Sequence, residues 1–292
     1  MRLIVGFGAG GGTDILARIV APPLGESLGQ PVVVENRPGA GGTIAAHQVA
    51  TAAADGYTAF LLNNGHAVGA AMYKSLPYDA AGDFQPVTML ATMPLVVVAG
   101  PKAPYADLQA LIAAARQNPG KLNFASVGVG STQQFAGELL LQLTAVNLVH
   151  VPYKGTPNAI AAMQNGEAHL LVEVAASVLG QVRGGALKAL AVTSAQRFPM
   201  LPDTPTVAES GIGGYDVTTW YALAFPAKTP PAIVAKVNGG VKTVLQRDDV
   251  RKQLANAAFV PETSTPEALA AHLRSEIARW SAVREKAKIP QQ

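Results

Sequence analysis

Residues 2–18, RLIVGFGAGGGTDILAR, decide how the rest of the chain is read. Arg2–Val5 is a short apolar run that reads as a strand, residues 6–12 form a loop with almost no Cβ atoms, and from Asp14 onward Ile15, Leu16 and Ile19 recur at helical spacing. A ligand can approach such a backbone closely. Several N–H groups beside the positive end of a helix dipole suit an anion, whether carboxylate, phosphate or sulfate. The stretch therefore predicts an anion site at the carboxyl end of the first strand, with the backbone of Gly8, Ala9, Gly10, Gly11 and Thr13 as donors.

The same loop matches a second chemistry. Gly6, Gly8 and Gly11 spell G-x-G-x-x-G between a strand and a helix, and Glu35 closes the next apolar run, PVVVE, at the distance of a ribose-binding acid. Asp14 argues against a dinucleotide, because its carboxylate falls in the first helical turn, where a pyrophosphate would sit. Gly12 and Thr13 also lengthen the loop beyond what close helix-to-strand packing needs. A tight turn that binds nothing is the third reading, since glycine is the default residue of strained turns.

At 292 residues the chain is long for one domain and fits two. Hydrophobic content of 49% against 14% charged residues supplies ample core and excludes global disorder. The net charge of +3 is mild and the 22 Lys and Arg are scattered, so neither a nucleic-acid groove nor a polybasic membrane patch is expected. Without cysteine, disulfides, thiolate metal sites and a cysteine nucleophile are excluded. No stretch approaches the ~18 uninterrupted apolar residues of a membrane helix, and Met1 leads directly into the first strand. The protein is then either cytosolic or exported, with its signal outside this sequence.

Strand and helix alternate downstream. Residues 31–36 and 57–62 read as strands, separated by the Gly-rich turn 37–42 and an alanine-rich helix over 44–53. The third strand runs into Asn63, Asn64, Gly65 and His66, read as a polar loop. Loops at the carboxyl ends of parallel strands share one rim, where open α/β sheets bind ligands, so Asn64 and His66 join the glycines as candidates. Apolar runs 84–90 and 95–99 are read as two further strands. A second unit then opens with a helix over 108–118 and a strand over 122–126. The loop Val127, Gly128, Val129, Gly130, Ser131, Thr132 and a helix over 133–143 follow, repeating the opening unit in kind. Strands over 148–152, 170–173 and 187–193 are read as parallel, with helix 159–165 between the first two, each within a right-handed βαβ unit. A strand over 215–225 and two amphipathic helices, 232–248 and 266–286, complete the chain. Proline-marked breaks near Gly100 and Phe225 predict a discontinuous first domain, 1–99 plus 225–292, and a second domain, 100–224. Two hinge segments between such domains describe a clamp whose cleft closes on a ligand.

Longer motifs then resemble a known family. FGAGGGTD (7–14), VVVENRPGAGG (32–42), GVGST (128–132), VHVPYKG (149–155) and ALAVTSAQRFPMLPDTPTVAESG (189–211) occur in the order seen in the Bug family of extracytoplasmic solute receptors, the binding components of tripartite tricarboxylate transporters. The resemblance spans nearly the whole chain. It implies an α/β, type II periplasmic binding-protein fold, two domains around a ligand cleft, carboxylate ligands, and uptake through two integral membrane subunits. It also assigns the carboxylate loop to residues 7–14, which adds Phe7, and the opposing loop to Ser126, Val127, Gly128, Gly130, Ser131 and Thr132. The family commonly has proline at Gly8, asparagine at Val129, histidine at Gln134 and an aspartate-asparagine pair at Glu173-Val174, so ligand preference is expected to depart from that of commoner members.

Each side chain also has a plainer role. The hydroxyls of Thr13, Ser131 and Thr132 either donate to a carboxylate or cap their own helices. Asp14 is a dipole partner of the first turn or an acceptor for a ligand hydroxyl or ammonium. His66 is a rim ligand or a lone surface histidine, and His150, in an apolar strand, is read as a core or edge residue. Tyr153 and Trp220 cover the cleft or fill the core. Lys154 pairs with a second carboxylate or with solvent, and Glu173 is solvated, capping or a reader of a ligand donor. No Ser, His and acid suggest a triad, and nothing stands at metal-ligand spacing to His66 or His150. The expectation is a monomeric periplasmic receptor for a small carboxylate or dicarboxylate, with no catalysis, cofactor or metal. A cytosolic NAD-dependent oxidoreductase using Gly6, Gly8, Gly11 and Glu35, and a ligand sensor for a membrane kinase, are the alternatives.

Overall fold

Runs of β-branched and apolar residues bounded by glycine and proline become ten strands, and the periodic segments between them become helices. The computed structural model describes all 292 residues. In chain order it has β1 (Arg2–Val5), α1 (Gly12–Leu28), β2 (Val33–Asn36), α2 (Thr43–Ala50), β3 (Thr58–Asn63), α3 (Asn64–Met72), β4 (Phe84–Ala99), α4 (Leu108–Gln117), β5 (Asn123–Ser126) and α5 (Thr132–Thr144). Then come β6 (Val149–Pro152), α6 (Thr156–Asn165), β7 (Leu170–Val174), α7 (Ala175–Arg183), β8 (Lys188–Val192), β9 (Thr218–Pro226), α8 (Pro231–Gln246), α9 (Asp248–Asn256), β10 (Val260–Pro261) and α10 (Pro266–Lys286). The chain divides into two compact units. Unit 1 is Met1–Thr92, Trp220–Ala282 and Pro290–Gln292; unit 2 is Met93–Thr219 and Val283–Ile289.

In unit 1, β1 lies between β2 and β3, parallel to both, and β9 adds to β3 in the antiparallel sense. The carboxyl ends of β1, β2 and β3 therefore share one edge. Helix α1 covers the sheet because Leu16, Val20, Leu24 and Leu28 recur every fourth residue on one face, and the first three have no exposed surface. Burial of each such side chain stabilises the unit by ~1.5 to 3 kcal/mol. In unit 2, β5 is parallel to β6 and β7, while β7 and β8 both pair antiparallel with β4.

Several elements depart from expectation. Runs 84–90 and 95–99 are one strand of 16 residues, β4. Pro94 does not interrupt it, because the residue falls between the pairing of Ala91 and Thr92 with β10 and the pairing of Leu95–Ala99 with β7 and β8, where a missing N–H removes none of those ladder bonds. Strand β8 is antiparallel to its neighbour, not parallel, since β4 separates it from β7. Residues 63–66 are no loop: Asn63 is the N-cap of α3, which begins at Asn64. Helices α7 and α9 fill stretches to which no element was assigned. The units exchange chain inside β4 and β9 and again at the end of α10.

Candidate functional site

The loop after β1 is built around a buried carboxylate. Gly10 adopts φ +82°, and its N–H donates to Asp14 Oδ2 at 2.9 Å. Arg18 Nε reaches both Asp14 oxygens at 3.0 Å, and Asn36 Nδ2, at the end of β2, donates to Asp14 Oδ1 at 2.9 Å and to the Phe7 carbonyl at 3.0 Å. The hydrogen bonds from Arg18, joined by those from Gly10 and Asn36, hold the Asp14 carboxyl at about 2 although burial acts to raise it. Asp14 is thus the internal strut of the loop. Gly11 caps α1 in an extended conformation without a side-chain bond, so the first-turn amides of Gly12 and Thr13 have no capping side chain. Gly8, Ala9, Gly10 and Gly11 are exposed. Thr13 is buried and accepts from Asn63 Nδ2 at 3.1 Å, so its hydroxyl neither caps α1 nor faces outward. The Phe7 ring packs beneath, against Gly42 and Gly65.

Unit 2 repeats this loop with different side chains. Gly130, at φ +78°, donates its N–H to Gln134 Oε1 at 2.8 Å, four residues on, as Gly10 does to Asp14. Ser131 caps α5 by accepting the Gln134 N–H at 3.2 Å, while its own hydroxyl donates to the Gly128 carbonyl at 2.8 Å. Ser126 Oγ lies 2.7 Å from His150 Nε2, and His150 Nδ1 lies 3.3 Å from Gln134 Nε2. His150 stacks on Phe124 at 4.8 Å, and burial pulls its pKa down. Tyr153 and Gly155 donate backbone N–H groups to Ser126 and Val127 carbonyls, which joins the loop after β6 to the loop after β5. Each unit therefore carries a glycine nest at the start of a helix, stiffened from the inside by the side chain four residues after its left-handed glycine.

Comparison with known proteins gives this architecture its context. Residues 16–289 match the family described as tripartite tricarboxylate transporter family receptor. The chain belongs to that family. Protein BugT of Bordetella pertussis is 37% identical over 285 residues, 97% of this chain and 87% of that protein. Among solved structures, an R. palustris protein with adipate superposes with a TM-score of 0.86 at 35% identity, covering 100% of this chain and 98% of the other. MatC from Rhodopseudomonas palustris with bound malate does so with a TM-score of 0.80 at 34% identity, covering 97% and 98%. The fold is that of the two-domain periplasmic binding proteins, and the family is one of solute receptors rather than enzymes. No helix is long and apolar enough to cross a membrane.

Other residues singled out from the sequence have partners within the protein. Glu35, the ribose-binding candidate of the oxidoreductase reading, is bound by Arg2 at 2.7 and 2.9 Å and by Arg37 at 3.2 Å, with the Arg2 hydrogen bonds first among the causes that lower its carboxyl to about 2. His66 is neither a rim ligand nor a surface residue. Its Nε2 meets the Ala80 carbonyl at 2.8 Å, its ring stacks on Tyr78 and meets Phe60 and Phe84 edge-on, and desolvation lowers its pKa to about 4. The cavity beside it, against Phe7 and Asn63, measures about 10 Å³, room for one water at most. Asn64 accepts from Trp280 Nε1 at 3.1 Å, and Trp220 is a core residue whose indole N–H donates to Glu276 at 3.2 Å.

Glu173 is not solvated. Fully buried at the end of β7, it accepts from Gln133 Nε2 at 2.7 Å, the Val174 N–H at 2.8 Å and Thr156 Oγ1 at 3.0 Å. It thereby ties together the first turns of α5 and α6 and the entry to α7, and burial raises its pKa. Tyr153 is half-buried and Lys154 is exposed. Asn36, the hydrogen bonding of Gln134 and the placement of His150 escaped sequence reading. The signal was present in the loops themselves, where Gly8, Gly10 and Asp14 correspond position by position to Gly128, Gly130 and Gln134.

Proposed function

We propose that the receptor captures a small dicarboxylate in the periplasm, as a monomer, and delivers it to two integral membrane subunits of a tripartite tricarboxylate transporter. Each nest, residues 7–14 and 126–132, is read as a carboxylate subsite. The observation that carries the reading is the doubling of one unusual device, a left-handed glycine clamped by the side chain four residues on, at the N-terminus of a long helix in each unit. A carboxylate leaving water needs several donors, and charge-assisted bonds from backbone N–H groups supply them without a fixed cation. In the first nest the Gly10 amide already serves Asp14, so Gly8, Ala9, Gly11, Gly12 and Thr13 are the amides assigned to ligand. Lys154 stands exposed on the neighbouring loop of the second nest and suits an anionic ligand. Two similar receptors were solved with dicarboxylates, adipate and malate, which supports that substrate class.

Thermal unfolding against a panel of mono-, di- and tricarboxylates and amino acids tests this. A dicarboxylate at about 100 times its dissociation constant adds ~2.7 kcal/mol of stability, which raises the unfolding temperature by several degrees. If every dicarboxylate at millimolar concentration leaves the transition unmoved while another class shifts it, the substrate class is wrong.

A further inference from the structure

The hydrogen bonds around His150 run in one direction only. Gly130 N–H can only donate, so the Gln134 atom 2.8 Å away is the amide oxygen and the amide nitrogen points the other way, at His150 Nδ1. That NH2 can also only donate, so Nδ1 is the unprotonated ring nitrogen. A neutral ring then carries its hydrogen on Nε2 and donates it across 2.7 Å to Ser126 Oγ. Ser126 Oγ already receives the Gly128 N–H at 3.2 Å, and its own hydrogen goes to the Gly128 carbonyl at 3.1 Å. A backbone donor opens the chain of bonds and a backbone acceptor closes it.

We propose that Gln134, His150 and Ser126 form a directional relay that sets the shape of the second nest, which makes them positioning residues for its donors. The relay grips the two glycines whose conformations L side chains rarely adopt, Gly128 at φ +142° and Gly130 at φ +78°. Gly130 is held at its N–H, and Gly128 at both its N–H and its carbonyl. Ser126 and Gln134 are buried, and the imidazole is fixed by stacking on Phe124, which lies two residues before Ser126 on the same face of β5. The direction also defines what Ser126 does not do. Facing an N–H and not a lone pair on His150, its hydroxyl has no base, and with its hydrogen on Gly128 it is not a donor to ligand. In the first nest the Asp14 carboxylate holds Gly10 without any tautomer to choose. The effect on affinity rests on the reading of 126–132 as a ligand loop; the relay itself is a property of the ligand-free protein.

Nitrogen-15 NMR of the ligand-free receptor separates the two. Long-range correlations of His150 are expected to show the Nε2–H tautomer, and an Nδ1–H ring would overturn the relay whatever the receptor binds. Gln134→Met keeps the shape but removes both the acceptor for Gly130 and the donor to His150. Hydrogen exchange at the Gly130 amide is expected to rise by about tenfold or more, and calorimetric affinity for adipate and malate to fall by about tenfold. Gln134→Glu keeps an acceptor for Gly130 and demands a hydrogen on Nδ1, so Gly130 protection is expected to return to near the parent's while a neutral ring inverts its tautomer and draws the Ser126 hydrogen from the Gly128 carbonyl to Nε2. Unchanged Gly130 exchange in Gln134→Met, or faster exchange with unchanged affinity, would refute the positioning role. A parent that binds neither adipate nor malate refutes those ligands, and the tautomer and exchange still decide the relay.

Discussion

Asp14 shows how one side chain can support a glycine loop from within. Its two oxygens accept from Gly10, Arg18 and Asn36, so Asp14→Ala leaves three donors to find partners and is expected to cost about 2 to 3 kcal/mol in urea unfolding. Asp14→Asn, which keeps one acceptor, should lose less. The folded carboxyl sits at about 2, below its ordinary value of 3.8, so the unfolded chain takes up the proton first. Its stabilisation is therefore complete above about pH 4 and is lost as the pH falls toward about 2; in Asp14→Asn this part of the acid limb should flatten. Glycines of the loop after β1 separate strain from space. A Cβ at Gly10 meets nothing within 4 Å, yet φ is +82°, so Gly10→Ala is expected to cost ~1 to 2 kcal/mol through the backbone alone and Gly10→Asn less, because asparagine tolerates that conformation. At Gly6 the backbone is ordinary but a Cβ would lie 3.0 Å from Gly42 Cα, so Gly6→Asn should be no better than Gly6→Ala. If asparagine rescues both positions equally, this distinction fails.

At the scale of elements, β1, its glycine loop and α1 were legible because periodicity switches from apolar strand to helical spacing across glycines that have no other use. Helix α3 was not, because Asn63, Asn64 and Gly65 carry turn chemistry and the helix is held by Asn64 and His66 reaching partners far away in sequence. Strand β4 was read as two apolar runs, yet it is continuous, since Pro94 counts against a strand only where its missing N–H is needed. For the site, the glycines and the capping Ser131 could be read locally. Asn36 and His150 could not, since what they do depends on which strands become neighbours, whereas the clamp of Gln134 on Gly130 is local and its correspondence with Asp14 carried the signal. The packing behind the second nest gives a prediction of its own. A Cβ at Gly137 on α5 would fall 2.7 Å from the Phe124 ring, the same ring on which His150 stacks. Gly137→Ala is expected to destabilise by ~1 to 3 kcal/mol through overpacking and to perturb the His150 ring resonances. Companion Gly180→Ala, on α7 where a Cβ meets nothing within 4 Å, should be neutral or slightly stabilising and leave His150 untouched. Equal effects of the two on the His150 resonances would sever Phe124 from the nest.

For the whole molecule, the question is whether an anion is drawn by net charge or held by local donors. A charge of +3 acting on a dianion ~20 Å away in water contributes about 1 kcal/mol before screening, and less beyond a Debye length of ~8 Å at physiological salt. The Lys and Arg near the first nest are already committed: Arg18 to Asp14, and Arg2 and Arg37 to Glu35. On the proposed reading what remains, apart from Lys154 beside the second nest, is neutral backbone N–H at the start of a helix, an attraction exerted at contact and confined to the first turn. Affinity for a dicarboxylate should then fall less than about fivefold between roughly 50 and roughly 500 mM sodium chloride, most of that change reflecting Lys154 and general screening. Lys154→Met should flatten the residual slope further while leaving most of the affinity. Isothermal titration at a series of salt concentrations measures both. A fall of a hundredfold over that range, abolished by Lys154→Met, would mean that a cation and not the paired nests holds the ligand.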